Sequence, residues 1–185
     1  MATQIDHDRS PRELRPGEKR LRMAVWGTAA GLLSLPLIAM QFTHEVDWTG
    51  SDFLVMSAML AAACGIWELG RWLSRNRAYR AAFAVAAAGA FLMTWINLAV
   101  GIIGREGGPL NMLFFAVIAV GIVGALVARF RPLGLAAAMV AMAGGQSMIA
   151  VVTLIVHGRT AALSVFFTAV WLLSAWLFAR AAREA

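Results

Sequence analysis

Long runs of apolar residues, separated by short polar segments, fill most of the chain. Six runs are long enough for a membrane-spanning helix, since a hydrocarbon core of about 30 Å needs around twenty residues at 1.5 Å each. A helix satisfies its backbone hydrogen bonds internally, as lipid requires. The pattern therefore predicts an all-α membrane protein with six transmembrane helices, at approximately residues 23–42, 53–73, 81–103, 110–130, 133–156 and 161–179.

The segments flanking these runs are short and polar. Residues 1–20 mix acids with bases and contain no apolar stretch, so they predict a disordered cytoplasmic tail and not a secretory signal. Residues 21–180 would form the transmembrane domain, and residues 181–185 a cytoplasmic end.

Composition supports lipid as the solvent. Hydrophobic residues make up 61% of the chain and charged residues 14%, against about a quarter charged in soluble proteins. The net charge of +6 lies in clusters between the runs, without interleaved aromatics, so no nucleic-acid partner is expected. Cys64 is the only cysteine, which excludes an internal disulfide and a thiolate metal cluster. We expect the lipid bilayer as the partner and no cofactor.

Basic residues predict the orientation. They resist translocation, so the side richer in Lys and Arg is cytoplasmic. Usage rich in Arg and Ala is typical of GC-rich bacterial genomes. We therefore expect the chain to lie in the bacterial inner (plasma) membrane. Of the sixteen basic residues, the two on the periplasmic side are Arg105 and Arg159, and the fourteen on the side of both termini are Arg9, Arg12, Arg15, Lys19, Arg20, Arg22, Arg71, Arg75, Arg77, Arg80, Arg129, Arg131, Arg180 and Arg183.

The runs also resemble one another in pairs. The second, fourth and sixth start with aromatic residues, continue with small ones and close on Arg, which predicts three repeated parallel helical hairpins. Small residues allow close helix packing in lipid, as at Gly27 with Gly31, Gly121 with Gly124, and residues 86–89. A homo-oligomer or a larger membrane complex is an open alternative for further partners.

Three stretches carry a resemblance to known proteins: MQFTHEVDWTGSDF at 40–53, TWINLAVGIIG at 94–104 and ALVARFRP at 125–132. They resemble a family of bacterial, chiefly alphaproteobacterial, multi-pass inner-membrane proteins to which no activity is assigned. In length, span number and hairpin repetition the chain is also similar to the HdeD-like acid-resistance membrane proteins. That likeness implies a six-span fold with threefold hairpin repetition.

The first outer loop offers candidate ligands. His44, Glu45 and Asp47 could contact a cation, and His44 with His157 could ligate a haem iron if the first and fifth helices adjoin. The spacing matches no metal motif, so a solvated acidic loop without metal is the alternative.

Polar residues within the spans are few. Glu68, Asn97 and Gln146, with Thr94 and Thr153, could line a polar path. In the alternative, Glu68 pairs with Arg71, three residues away, at the membrane interface. The uncharged polar groups would then form hydrogen bonds between helices.

The sequence contains no HExxH, P-loop, GxSxG or CxxC motif. We therefore expect a non-enzymatic membrane protein that acts by interaction or as an accessory or envelope-stress component. The alternative is a small-solute or proton-coupled transporter or channel that uses Glu68, Asn97 and Gln146.

Overall fold

A computed structural model describes residues 16–99, 111–157 and 162–184, without the side chains of residues 16, 156 and 157. These residues form six helices joined by turns and loops, and they contain no β-strand. The helices are α1 (Pro16–Ala39), α2 (Gly50–Leu73), α3 (Arg77–Ala99), α4 (Met112–Val127), α5 (Pro132–His157) and α6 (Ala162–Arg183).

Every predicted run contains a helix, and five of the six helices are long and apolar enough to cross a membrane. The exception is α4, whose 16 residues rise only about 24 Å at 1.5 Å each. The first helix begins at Pro16, so it includes residues 16–20, which the sequence analysis assigned to the tail. Residues 1–15 lie outside the described residues.

A side-chain cap starts α2. The Thr49 N–H and hydroxyl both donate to Oδ2 of Asp52, at 2.7 and 2.6 Å, while the Thr49 carbonyl accepts the Asp52 N–H. The bond from the Thr49 N–H to the Asp52 carboxylate is one half of a capping box, with Asp in place of Glu at the third helical position. It satisfies groups at the helix start that would otherwise lack partners.

The chain divides into two compact units, Met1–Ser57 and Ala58–Ala185. The described part of unit 1 comprises α1, the loop 40–49 and the beginning of α2. A Cβ added at Gly27 or Gly31 of α1 would meet no described atom within 4 Å, so the close packing predicted for this pair is not observed among the described residues.

In unit 2, α6 is the central helix. It packs extensively against α5 and α3, and α4 packs against α5, whereas α3 and α4 contact each other only sparsely. The packing order is therefore α3, α6, α5, α4. The hairpin repeat is not confirmed, because the α5–α6 pair packs as a hairpin and the α3–α4 pair does so only weakly.

Small residues set the helix separations in unit 2. A Cβ added at Gly124 would lie 2.6 Å from the Cβ of Ala138, and one at Gly121 would collide with the sulfur of Met142. On the other side of the unit, a Cβ at Gly89 would lie 2.7 Å from Val170. The predicted small-residue packing is confirmed at these three glycines, where dispersion between close backbones drives association.

A pair of alanine substitutions tests the α4–α5 contact. Gly124→Ala should lower the free energy of unfolding by about 1–3 kcal/mol, because the new methyl group overlaps Ala138. Gly144→Ala should be neutral or stabilising by about 0.5–1 kcal/mol, since its Cβ meets no described atom within 4 Å and Ala favours the helix. Unfolding in detergent micelles measures both, and an equal loss in the two variants would contradict the packing.

Candidate functional site

Three segments of unit 2 meet at one end. Nδ2 of Asn76, in the α2–α3 turn, donates to Oε2 of Glu184 at 3.2 Å. The Tyr79 hydroxyl, near the start of α3, donates to the Phe130 carbonyl in the α4–α5 turn at 2.8 Å. We call this the basic end of unit 2, because these segments carry Arg71, Arg75, Arg77, Arg80, Arg129, Arg131, Arg180 and Arg183.

Asn76 and Glu184 join the α2–α3 turn to the end of α6. Oδ1 of Asn76 accepts the Tyr79 N–H at 3.0 Å, which caps α3, while its amide donates to Glu184. Nε of Arg180 donates to the other oxygen of Glu184 at 2.7 Å. Hydrogen bonds from Arg180 and then from Asn76 to the ionised carboxylate lower the pKa of Glu184 below its ordinary value of 4.5.

The contribution of Glu184 should depend on pH. A lowered folded-state pKa adds stability that is fully present above the ordinary value of 4.5 and is lost as the pH falls through the folded-state pKa. Wild type should therefore unfold at a higher temperature than Glu184→Gln near neutral pH, and the difference should close on acidification. Arg183→Gln, an exposed neighbour, is the control, and a difference that persists below the folded-state pKa would contradict this linkage.

The α4–α5 turn has an unusual backbone. Arg129 and Phe130 have φ angles of 49° and 59°, the only positive values at described non-glycine residues. The Phe130 N–H donates to the Ala125 carbonyl at 3.2 Å and the Arg129 N–H to the Leu126 carbonyl at 3.0 Å. These bonds form a Schellman motif with Arg129 at the left-handed position that usually takes Gly. Sequence reasoning missed it, since no Gly marks the end of α4.

An apolar cavity of about 240 Å³ is lined by α3 and α4, which contact each other only sparsely, and by residues of α2, α5 and α6. We call it the lateral crevice. Among the described residues the lining contains no charged side chain and comprises Ile66, Leu69, Phe83, Ala86, Ala87, Ala90, Ile118, Gly121, Ile122, Ala125, Leu126, Phe130, Leu135, Met139, Met142, Trp171 and Phe178.

The buried polar groups lie at separate levels of unit 2. Near the end opposite the basic end, Nδ2 of Asn97 donates to the Asn111 carbonyl at 2.9 Å. Thr153 is buried and donates to the Ile149 carbonyl of its own helix at 2.6 Å. Gln146 is fully buried, and neither atom of its amide has a hydrogen-bond partner among the described residues.

Glu68, Asn97 and Gln146 are not brought together. Glu68 lies two residues before Gly70, which packs against Phe83 of α3. Asn97 is fourteen residues farther along α3, about 21 Å at 1.5 Å per residue. Gln146 follows Gly145, which faces Val117 of α4, so it lies at an intermediate level.

Arg71 contacts an aromatic ring of its own helix. Its guanidinium carbon lies 4.7 Å from the ring centroid of Trp67, within the range of a cation–π interaction. Glu68 is half-buried. The predicted Glu68–Arg71 pair remains a prediction.

The candidate cation ligands of the outer loop are solvent-exposed. This holds for His44, Glu45 and Asp47, and the side chain of His157 lies outside the described residues. Within the described part of the chain, no three His, Cys, Asp or Glu residues form a group that could hold a metal ion. The haem and cation hypotheses stay untested predictions.

Helices of this length and apolarity define the chain as a helical membrane protein. Comparison with protein-family models, with curated proteins and with solved structures finds no match. Its function must therefore be argued from its own residues.

Proposed function

We propose that the chain is a non-enzymatic, six-span protein of the bacterial inner membrane that acts by interaction within the bilayer, as an accessory or envelope-stress component. The observation that carries the proposal is the separation of the polar groups within the spans. Glu68, Asn97 and Gln146 lie at different levels, and apolar side chains such as Met142 and Trp171 fill the interior between those levels.

A transport path needs polar groups that succeed one another through the protein. In unit 2, Ser174 instead donates to the Ala82 carbonyl on α3, and Asn97 donates to the Asn111 carbonyl next to α4. Such bonds join helices, as polar groups do in membrane proteins that serve packing. The cavity between α3 and α4 has an apolar lining, which favours hydrocarbon over a hydrated solute.

Gln146 distinguishes packing from transport. Gln146→Met keeps the shape and removes an unpartnered buried amide, so it should raise the free energy of unfolding by about 1–3 kcal/mol. Asn97→Leu should instead lower it by about 1 kcal/mol, because it removes the Nδ2 donor that bonds the Asn111 carbonyl.

The same variants are then reconstituted in liposomes with an imposed pH gradient. We expect wild type, Gln146→Met and Glu68→Gln to leave the gradient decaying as slowly as in protein-free liposomes. Rapid decay that either substitution abolishes would replace this proposal with the proton-coupled transporter.

Cysteine labelling tests the orientation in the inner membrane. In a Cys64→Ala background, Glu45→Cys should react with a membrane-impermeant maleimide in intact cells, whereas Arg75→Cys and Arg183→Cys should react only after permeabilisation. All three positions are exposed and lie outside the helix caps described above. Labelling of Arg75→Cys in intact cells would reverse the assignment.

A further inference from the structure

The lateral crevice is shaped for a hydrocarbon chain. Apart from Phe83, its α3 wall consists of small side chains such as Ala86 and Ala90. Ile122 and Leu126 of α4 also line the crevice. The α4 wall runs from Ile118 to Leu126, about 12 Å at 1.5 Å per residue. The crevice is therefore longer than a single side chain.

The size of the crevice restricts its occupant. An apolar cavity of about 150 Å³ holds one benzene molecule, so 240 Å³ leaves room for a longer hydrocarbon segment. A helix of a partner protein has a diameter of about 10–12 Å with its side chains, which is too wide for this space. The dimensions fit a segment of one extended acyl chain.

Positive charge lies where the crevice ends. Phe130 lines the crevice at the basic end, and its neighbours in the chain, Arg129 and Arg131, are both exposed. The Tyr79 hydroxyl holds the Phe130 carbonyl at 2.8 Å, which fixes the turn between these two arginines. An apolar slot that ends at Phe130, which two exposed arginines flank in the chain, complements a lipid with an anionic headgroup.

We propose that the lateral crevice binds one acyl chain of an anionic phospholipid, with Arg129 and Arg131 holding its phosphate. This inference rests on the proposed function, because it names a lipid as the partner within the bilayer. The Schellman motif supports it. Gly adopts the left-handed conformation without the strain that a Cβ causes. Arg129 at this position therefore lowers the stability of the turn, but it places a positive charge next to Phe130 in the chain.

The test uses native mass spectrometry of the full chain in detergent, with added phosphatidylglycerol or phosphatidylethanolamine. Wild type should retain one phosphatidylglycerol in preference to phosphatidylethanolamine. Arg129→Gly and Arg131→Gln should each weaken phosphatidylglycerol retention about fivefold, the effect of one basic residue near an anionic lipid. Arg129→Gly should also unfold at a higher temperature than wild type, which separates loss of charge from loss of fold.

Two further variants test the acyl chain. Ala90→Leu fills the crevice and should reduce retention of both lipids, whereas Ala88→Leu, at an exposed position of the same helix, should behave as wild type. Arg75→Gln, in another turn of the basic end, is the matched charge control and should bind as wild type.

Equal retention of the two lipids, or retention unchanged by Ala90→Leu and Arg129→Gly, would overturn the inference. If either lipid result is found and no proton flux is measured, the inference about lipid is wrong and the proposed function is still supported. A proton flux that depends on Gln146 would remove the proposed function, whatever the lipid result.

Discussion

Close backbone approach at small residues is the constraint on which the structure of unit 2 depends. Lipid is as apolar as leucine, so helices within it gain little from burying apolar side chains and associate chiefly through dispersion and hydrogen bonds. Gly121 and Gly124 let α4 approach α5, and Gly89 lets α3 approach Trp171 of α6. Trp171, Phe167 and Phe178 of α6 are buried among these helices, which makes α6 the centre of the packing.

The helices could be predicted because their signal is local. Apolar length identified every helix among the described residues. The packing partners of α3 could not be predicted, because runs of Ala, Gly and Leu resemble one another and do not specify a neighbour. In the structure α3 packs against α6, through Ser174 and Gly89, and α4 lies at the opposite edge of unit 2.

The candidate site was only partly accessible from the sequence. The sequence singled out Asn97 and Gln146 as polar residues in apolar runs, and both are buried. Their different levels depend on helix register, which composition does not encode. The turn at Arg129 and Phe130 could not be recognised in the sequence. Gly usually occupies the left-handed position at a helix end, and Arg129 occupies that position here.

The lateral crevice follows from this packing order and from the solvent. In water, the opening between the apolar edges of α3 and α4 would be closed by the hydrophobic effect. In a bilayer that force is absent, and a lipid chain supplies the dispersion contacts that an empty cavity would lack. An open apolar crevice is therefore stable only while hydrocarbon fills it. Any lipid could provide the chain, so selection among lipids depends on the charged residues at the end of the crevice, where Arg129 and Arg131 precede and follow Phe130 in the chain.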